Sequence, residues 1–470
     1  MNGELGTGTE RDGVETDSGR RGLSTRLKAA YGLGNVGGLA IGQSSILLLY
    51  TYYYLYLRVP LSPLGISAIL VVYGVWDALN EPLLGHFSDV TRSRIGRRKP
   101  FILAGIVPTV VLSVLAFTPP TNDPVACAVY LLVVLVAREL GITMVVTSWY
   151  SLYAELTLDP VERVDLSKFM QLFGIVGLVL GLGVAPIISG LFEDVRLGYS
   201  VMGLVVSLIT VLSVLPTVLL VKERPDYQVT DEERLGFLES VKVALANRSF
   251  LAFVAVQFLL QLSYALVVSS LPLFFEGVLG LESLQWSLLL LATFASVVPS
   301  LYLWMRVARR RGSKGALTLS MAAFAVVFPL TFVMNSTPVA LVVLLAAGVG
   351  LAGLMMFPTI LLGDVIDEDQ LHTNRRREGV FTGVSGVIVK MSSAISWALI
   401  GVVLTAFQVD RDHLDPGTIT SLNKLGLQFL VGVLPVLVVL LGMLALHFYP
   451  LAGEKLAEIK RRVLAADEVR

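Results

Sequence analysis

The stretch Trp76-Asp-Ala-Leu-Asn-Glu-Pro-Leu-Leu-Gly-His-Phe-Ser-Asp-Val-Thr-Arg-Ser-Arg-Ile-Gly-Arg-Arg-Lys-Pro-Phe101 puts two carboxylates and an amide inside an apolar helix and ends it in basic residues. Asp77 and Glu81 stand four apart, so on an α-helix they share a face, with Asn80 beside them. A carboxylate near the bilayer centre costs about 2.5 to 3.5 kcal/mol on insertion scales, so two on one face call for a reason, and the usual one is an ion or proton pathway. The basic residues that follow, Arg92, Arg94, Arg97, Arg98 and Lys99, mark a membrane boundary.

Working outward, the whole chain agrees with a membrane reading. Its 470 residues are 55% hydrophobic and 15% charged, with a mean hydropathy of +0.75. That is too apolar for an ordinary soluble protein of this length and fits a polytopic helical membrane protein. Lysine plus arginine and aspartate plus glutamate both number 36, so the chain is formally neutral and is not expected to bind nucleic acid. Cys127, the single cysteine, sits between Ala126 and Ala128 and reads as a small packing residue. Residues 1–25 are polar, lack a signal-peptide core and read as a disordered cytoplasmic tail.

Apolar segments long enough to cross a bilayer, about 20 residues each, fall at 27–56, 63–90, 100–118, 125–155, 166–191 and 201–221, then at 251–275, 283–308, 317–334, 339–365, 379–407 and 425–448. The expected fold class is therefore an all-α membrane protein of twelve transmembrane helices. It divides into an N-terminal six-helix bundle over 26–221, a cytoplasmic linker over 222–248, a C-terminal six-helix bundle over 249–449 and a cytoplasmic tail over 450–470. Arginine and lysine concentrate at 92–99, 306–314 and 375–377, which makes those connections and both termini cytoplasmic. The Arg-rich turn after the second segment recurs after the eighth, a weak internal repeat of the kind seen in secondary transporters. There is no phosphate-binding loop of the Gly-x4-Gly-Lys-Ser/Thr kind, so an ion gradient rather than ATP is the expected drive.

The acid pair has two uses. Asp77, Glu81 and the Asn80 carbonyl are hard oxygen donors for Na⁺, and as a coupled pair the two acids can share a proton. The bland alternative is a structural ion pair with Lys390, which lies inside the apolar eleventh segment and is also a candidate solute contact. The basic loop carries a gating expectation besides its anchoring role: Asp89 caps its helix end and pairs with an arginine of a neighbouring loop when the inner side is closed, with Arg94, Arg97 and Arg98 among the gating residues. The exits Glu155 to Arg163 and Asp364 to Arg376 are its counterparts elsewhere. Tyr73, Trp149 and Trp397 are candidate stacking surfaces for a solute, with Gln43, Gln257 and Gln261 as amide partners. Tyr52 to Tyr56 read as an interfacial aromatic belt, and Gly174 to Gly183 as close helix packing.

The pattern from Trp76 to Arg98 resembles the glycoside-pentoside-hexuronide:cation symporters, the melibiose permease-like family of the major facilitator superfamily. Tyr31-Gly-x-Gly34, Ser151-Leu-x-x-Glu155-Leu-Thr157 with Glu162-Arg163, and Gly363-Asp-Val-Ile-Asp367 with Arg375-Arg-Arg-Glu378-Gly379 carry the resemblance through both halves. It implies the major facilitator fold, two pseudo-symmetric six-helix bundles working by alternating access. It also implies a coupling-cation site at Asp77, Asn80, Glu81 and Thr143, and a functional lysine at Lys390. The family's sugar-binding aspartates fall at Leu39 and Val146, and its fifth-helix basic residue at Met170 or Gln171, so the sugar site is expected to differ. The implied function is a Na⁺- or H⁺-coupled symporter of a sugar, glycoside or related small solute in the cytoplasmic membrane. It is expected to be a monomer among lipids, with no cofactor and no enzymatic activity. The rival expectation is an uncoupled facilitator or exporter of a lipid-like solute.

Overall fold

The computed structural model describes residues 23–120, 123–157, 160–221, 237–373, 377–409, 411–414 and 418–468. Several of its helices begin where the sequence offers a polar cap. Ser24 accepts from the Leu27 amide to open α1 (Thr25–Thr51), which continues as a π-helical turn, Tyr52–Tyr56. Ser62 followed by a proline opens α2 (Pro63–Val90), and α3 spans Lys99–Leu115. Asp123 caps α4 (Pro124–Ser151), which is followed by the short α5 (Tyr153–Leu156). A bent helix comes next, α6 (Pro160–Val179), a π-helical turn and α7 (Ala185–Gly190), and then α8 (Val195–Leu220) capped by Asp194.

The second half begins with α9 (Phe237–Ala246), inside the segment expected to be a linker. It continues through α10 (Arg248–Leu279), α11 (Ser283–Val327), α12 (Thr337–Thr373), α13 (Glu378–Ala406), α14 (Ser421–Gln428), α15 (Leu434–His447) and α16 (Gly453–Glu468).

Among the described residues ten helices are long and apolar enough to cross a membrane. One of them, Ser283–Val333, has 51 residues and takes in the eighth expected segment and all but the last residue of the ninth; the third is the 17-residue Lys99–Leu115. The eighth-to-ninth connection is therefore a corner rather than a loop. The chain stays helical on both sides of Gly312, whose φ of 74° is open to glycine and strained for other residues.

The N-terminal helices pack mainly on one another, α1 on α6 and α8, α3 on α4 and α8. The C-terminal ones do likewise, with α10 on α13 and α15, and α11 on α12. A Cβ on Gly177 would sit 2.4 Å from the Val36 carbonyl and one on Gly181 2.6 Å from that of Ala40, so α1 and α6 lie in backbone contact where the glycine run was expected to allow it. Side chains such as Val107, Val129, Leu212, Val342 and Leu444 remain exposed, forming the apolar exterior that lipid requires.

The two sets of helices join along α2 with α13 and α1 with α10, and bonds between them gather at the face opposite the arginines. There Arg58 pairs with Asp412 at 3.1 Å, Arg411 donates to the Val59 carbonyl at 2.7 Å, and Tyr56 donates to Glu276. Tyr52, Tyr53 and Tyr54 are buried, donating to the carbonyls of Phe117, Ala116 and Val409. This corrects the belt reading: two of these hydroxyls cap the end of α3, where carbonyls lack helical donors. Toward the arginine-rich face, Cβ atoms built on Gly85, Gly379, Gly383 and Gly386 would meet nothing within 4 Å, so the glycine-bearing sides of α2 and α13 face open space there, while Phe381 and Ser385 on the other side of α13 pack on α10.

The C-terminal tail is a docked element. Lys455 and Lys460 of α16 pair with Glu368 at 2.8 Å and Asp364 at 3.0 Å on α12, and Ile459 and Val463 are buried. Arg377 grips Asp369 with two bonds, at 2.5 and 2.9 Å.

Candidate functional site

A cavity of about 280 Å³ lies where α1, α2, α4, α10 and α13 converge. The second helix brings Tyr73, Asp77 and Glu81 to it, one face of successive turns as the spacing predicts. Pro82 has no N–H, so the Ala78 carbonyl between the two acids lacks its i+4 donor. From α13 the Lys390 ammonium reaches across to Asp77 at 2.6 Å and to Glu81 at 2.8 Å. Two acids four residues apart and a lysine 313 residues after the first of them thus share one charge cluster inside the membrane-spanning part.

The fourth helix supplies the rest. Thr143 donates to the Asn80 amide oxygen at 2.8 Å and Thr147 to Glu81 at 3.2 Å. Asn80 is 1% exposed, stands behind the cavity wall, and its amide nitrogen has no partner among the described residues. Glu139, buried and on the same wall, accepts from the Tyr73 hydroxyl at 2.7 Å. Neighbouring Arg138 turns the other way, donating to Ser113 and Ser45, each at 3.1 Å. Glu139 and Arg138 were missed from sequence, although two adjacent charges within the 28-residue apolar helix α4 were a signal as strong as Asp77 and Glu81.

Of the candidate solute contacts, Tyr73 and Trp397 line the cavity with ring centroids 5.6 Å apart, and Lys390 lines it too. Trp149 does not. Its ring stacks on Tyr31 at 5.0 Å and its indole donates to the Tyr31 carbonyl, so it is a packing residue of α1 and α4; the next residue, Tyr150, faces the cavity instead. Gln261 is on the wall, whereas Gln43 accepts from Tyr264 and Gln257 from Ser385. Leu39 and Val146 are on the wall as well, joined by Ile46, Ile142 and Val389.

The gating residues are dispersed. Arg98 is buried against its own helical hairpin, donating to Ser88 and, at 3.5 Å, to the Gly85 carbonyl. Arg94 is exposed and Arg97 half-buried. Arg163 donates to the Thr157 carbonyl at 2.9 Å. Asp364 pairs with Lys460 of α16 at 3.0 Å. The side chains of Asp89 and Glu155, and Arg376 altogether, lie outside the described residues.

Comparison with known proteins adds the family. The profile of the family described as MFS/sugar transport protein matches residues 30–453. The chain is 24% identical to an uncharacterized symporter, sll1374, of Synechocystis, over 95% of this chain and 98% of that one. It is equally 24% identical to the putative glycoside/cation symporter YagG of Escherichia coli, over 94% of this chain and 95% of that one. The sodium-dependent lysophosphatidylcholine symporter 1 of Gallus gallus is also 24% identical, over 94% and 89%. Among solved structures, the nucleoside transporter NupG superposes with a TM-score of 0.64 at 16% identity, over 89% of this chain and 98% of that one. A bacterial homologue of the human lysosomal transporter Spinster, inward-facing, superposes with 0.65 at 14%, over 92% and 97%.

Proposed function

We propose that this chain, which belongs to the MFS/sugar transport protein family, is a cation-coupled symporter that moves a small solute across the cytoplasmic membrane with both termini inside. It is a melibiose permease-like multi-pass membrane protein with the major facilitator fold, and its relatives are transporters. The single observation that carries the coupling is Lys390 held between Asp77 and Glu81 at 2.6 and 2.8 Å. Two carboxylates inside a membrane need a counter-charge, since an uncompensated buried charge costs several kcal/mol. Lys390 supplies it, and a Na⁺ or H⁺ arriving at Asp77 and Glu81 would take over that task and release the lysine toward the solute. The Thr143 hydroxyl and Asn80 amide complete an oxygen-rich surround for Na⁺.

The cavity wall bears on the solute. Leu39 and Val146, the positions matching the family's sugar-binding aspartates, line it with Ile46, Ile142 and Val389 and offer a sugar's hydroxyls no hydrogen bond. Leaving a polar group buried without a partner costs about 1 to 3 kcal/mol each. This favours a solute with a substantial apolar portion, a lysolipid or an apolar glycoside rather than a free galactoside. The same wall supports the second reading, an uncoupled carrier or exporter of a lipid-like solute.

Purified protein in liposomes separates the two readings. Under a Na⁺ or H⁺ gradient, uptake of lysophospholipids or alkyl glycosides is expected to be driven uphill, and Asp77→Asn to leave only downhill equilibration. Wild-type uptake indifferent to both gradients would sink the symport reading and leave the uncoupled one.

A further inference from the structure

A larger cavity, about 560 Å³, opens at the arginine-rich face between the first turn of α10, the last turns of α12 and the start of α16. It is separate from the central site. Arg248, Ser249, His372 and Lys455 line it, together with Glu368 and the aromatic ring of Phe448. Of the charges on its wall, Glu368 is matched by Lys455 at 2.8 Å, so Arg248 leaves the cavity with a surplus positive charge. Ser249 is 4% exposed, yet it is on the wall and its hydroxyl has no hydrogen-bond partner among the described residues. The N-terminal end of the 32-residue α10 borders the same space: Asn247, also on the wall, accepts from the Phe250 amide, and the helix's positive dipole end remains beside Arg248 and Ser249. Cations, a buried hydroxyl donor and a helix N-terminus converging on one cavity are the chemistry of phosphate recognition.

The position within the membrane decides which phosphate. The apolar segments read from sequence run 251–275, 339–365 and 425–448, and Arg248, Ser249, Glu368, His372 and Lys455 fall just outside them, at the depth where headgroups would meet the hydrocarbon. Phe448 is 65% exposed at its rim, an apolar surface along which an acyl chain can leave. We infer that this cavity binds the phosphate of an anionic phospholipid from the leaflet on the arginine-rich face, Arg248 and Ser249 taking the phosphate oxygens while Lys455 keeps Glu368 neutralised beside them. Cationic pockets at this depth attract anionic headgroups with about 1 kcal/mol per basic residue, more when the contact is a direct charged hydrogen bond.

The test uses the full-length protein in detergent, titrated separately with phosphatidylglycerol, phosphatidylcholine and inorganic phosphate. Binding is read from the shift in melting temperature and by native mass spectrometry. Phosphatidylglycerol is expected to bind at least about tenfold more tightly than phosphatidylcholine. Arg248→Ala and Ser249→Ala break no side-chain bond within the described residues, so they are expected to fold; combined, they should weaken phosphatidylglycerol binding about tenfold. Arg310→Ala, an exposed arginine on the same face, should leave it unchanged. Equal binding of the two lipids, an unchanged affinity in the double variant, or an equal loss in Arg310→Ala would each overturn the assignment. Inorganic phosphate competing as strongly as the lipid would overturn it too, by making the site one for a soluble anion.

Discussion

A lysine shared by two carboxylates makes a sharp prediction at the scale of single residues. Lys390→Met should destabilise the protein by on the order of 3 kcal/mol in sodium-free buffer, because Asp77 and Glu81 lose their counter-charge while remaining mostly enclosed. Sodium should restore much of that loss, and thermal melts with and without Na⁺ are the measurement; a variant melting like wild type in both buffers would remove Lys390 from the cluster. A second prediction concerns Gly34, where a Cβ would lie 2.4 Å from the Trp149 indole. Gly34→Ala should cost about 1 to 3 kcal/mol by overpacking, whereas Gly42→Ala, whose Cβ meets nothing within 4 Å, should melt like wild type. The cluster itself was legible in sequence because charges stand out against an apolar helix. What sequence could not say was direction. Trp149 and Tyr150 are adjacent, and which of them faces the cavity depends on how α4 is rotated against α1, a packing outcome that the nearly uniform apolar pattern of a membrane helix leaves open.

At the scale of elements, α16 was read as a basic tail and is instead a clasp on α12. Its lysines repeat at 455 and 460 to meet carboxylates whose side chains are 8% and 4% exposed, yet nothing in those basic residues names their partners. Lys460→Ala should cost about 2 kcal/mol, between the values of exposed and buried pairs. Combined with Asp364→Asn the loss should be less than additive by about 1 kcal/mol, read as a double-mutant cycle from melting temperatures. Strict additivity would mean that the pair contributes nothing to the docking. The membrane spans were legible from hydropathy because length and apolarity are local properties. The corner at Gly312 was not, since an Arg-Arg-Arg-Gly sequence is compatible with a loop or with a helix that bends once, and the packing of both arms on α12 selects the second.

At the scale of the whole molecule, bonds join the two sets of helices on the face away from the arginines, where the proposed transport cycle would place a gate. If that gate must open for transport, bridging it should stop turnover. In a Cys127→Ala background, Arg58→Cys with Asp412→Cys joined by a cleavable thiol cross-linker should arrest solute exchange, and reductant should restore it. Exchange that persists while cross-linked would show that this contact does not belong to the moving barrier. Asp364 and Arg98, two of the residues proposed for gating, bond here to Lys460 of α16 and to Ser88 and the Gly85 carbonyl of α2, respectively.

The position of Lys390 also bears on the journey home. A carrier that has delivered its cargo must re-orient with nothing bound, and a bare pair of carboxylates would make that leg costly. An internal lysine that substitutes for the departed ion keeps the vacant carrier electrically acceptable. Without it, swapping solute for solute should survive, since both legs are then made loaded, while net accumulation fails. Lys390→Met is therefore expected to retain counterflow in liposomes and to lose uphill uptake, a separation of half-cycles that follows from one ammonium reaching two acids.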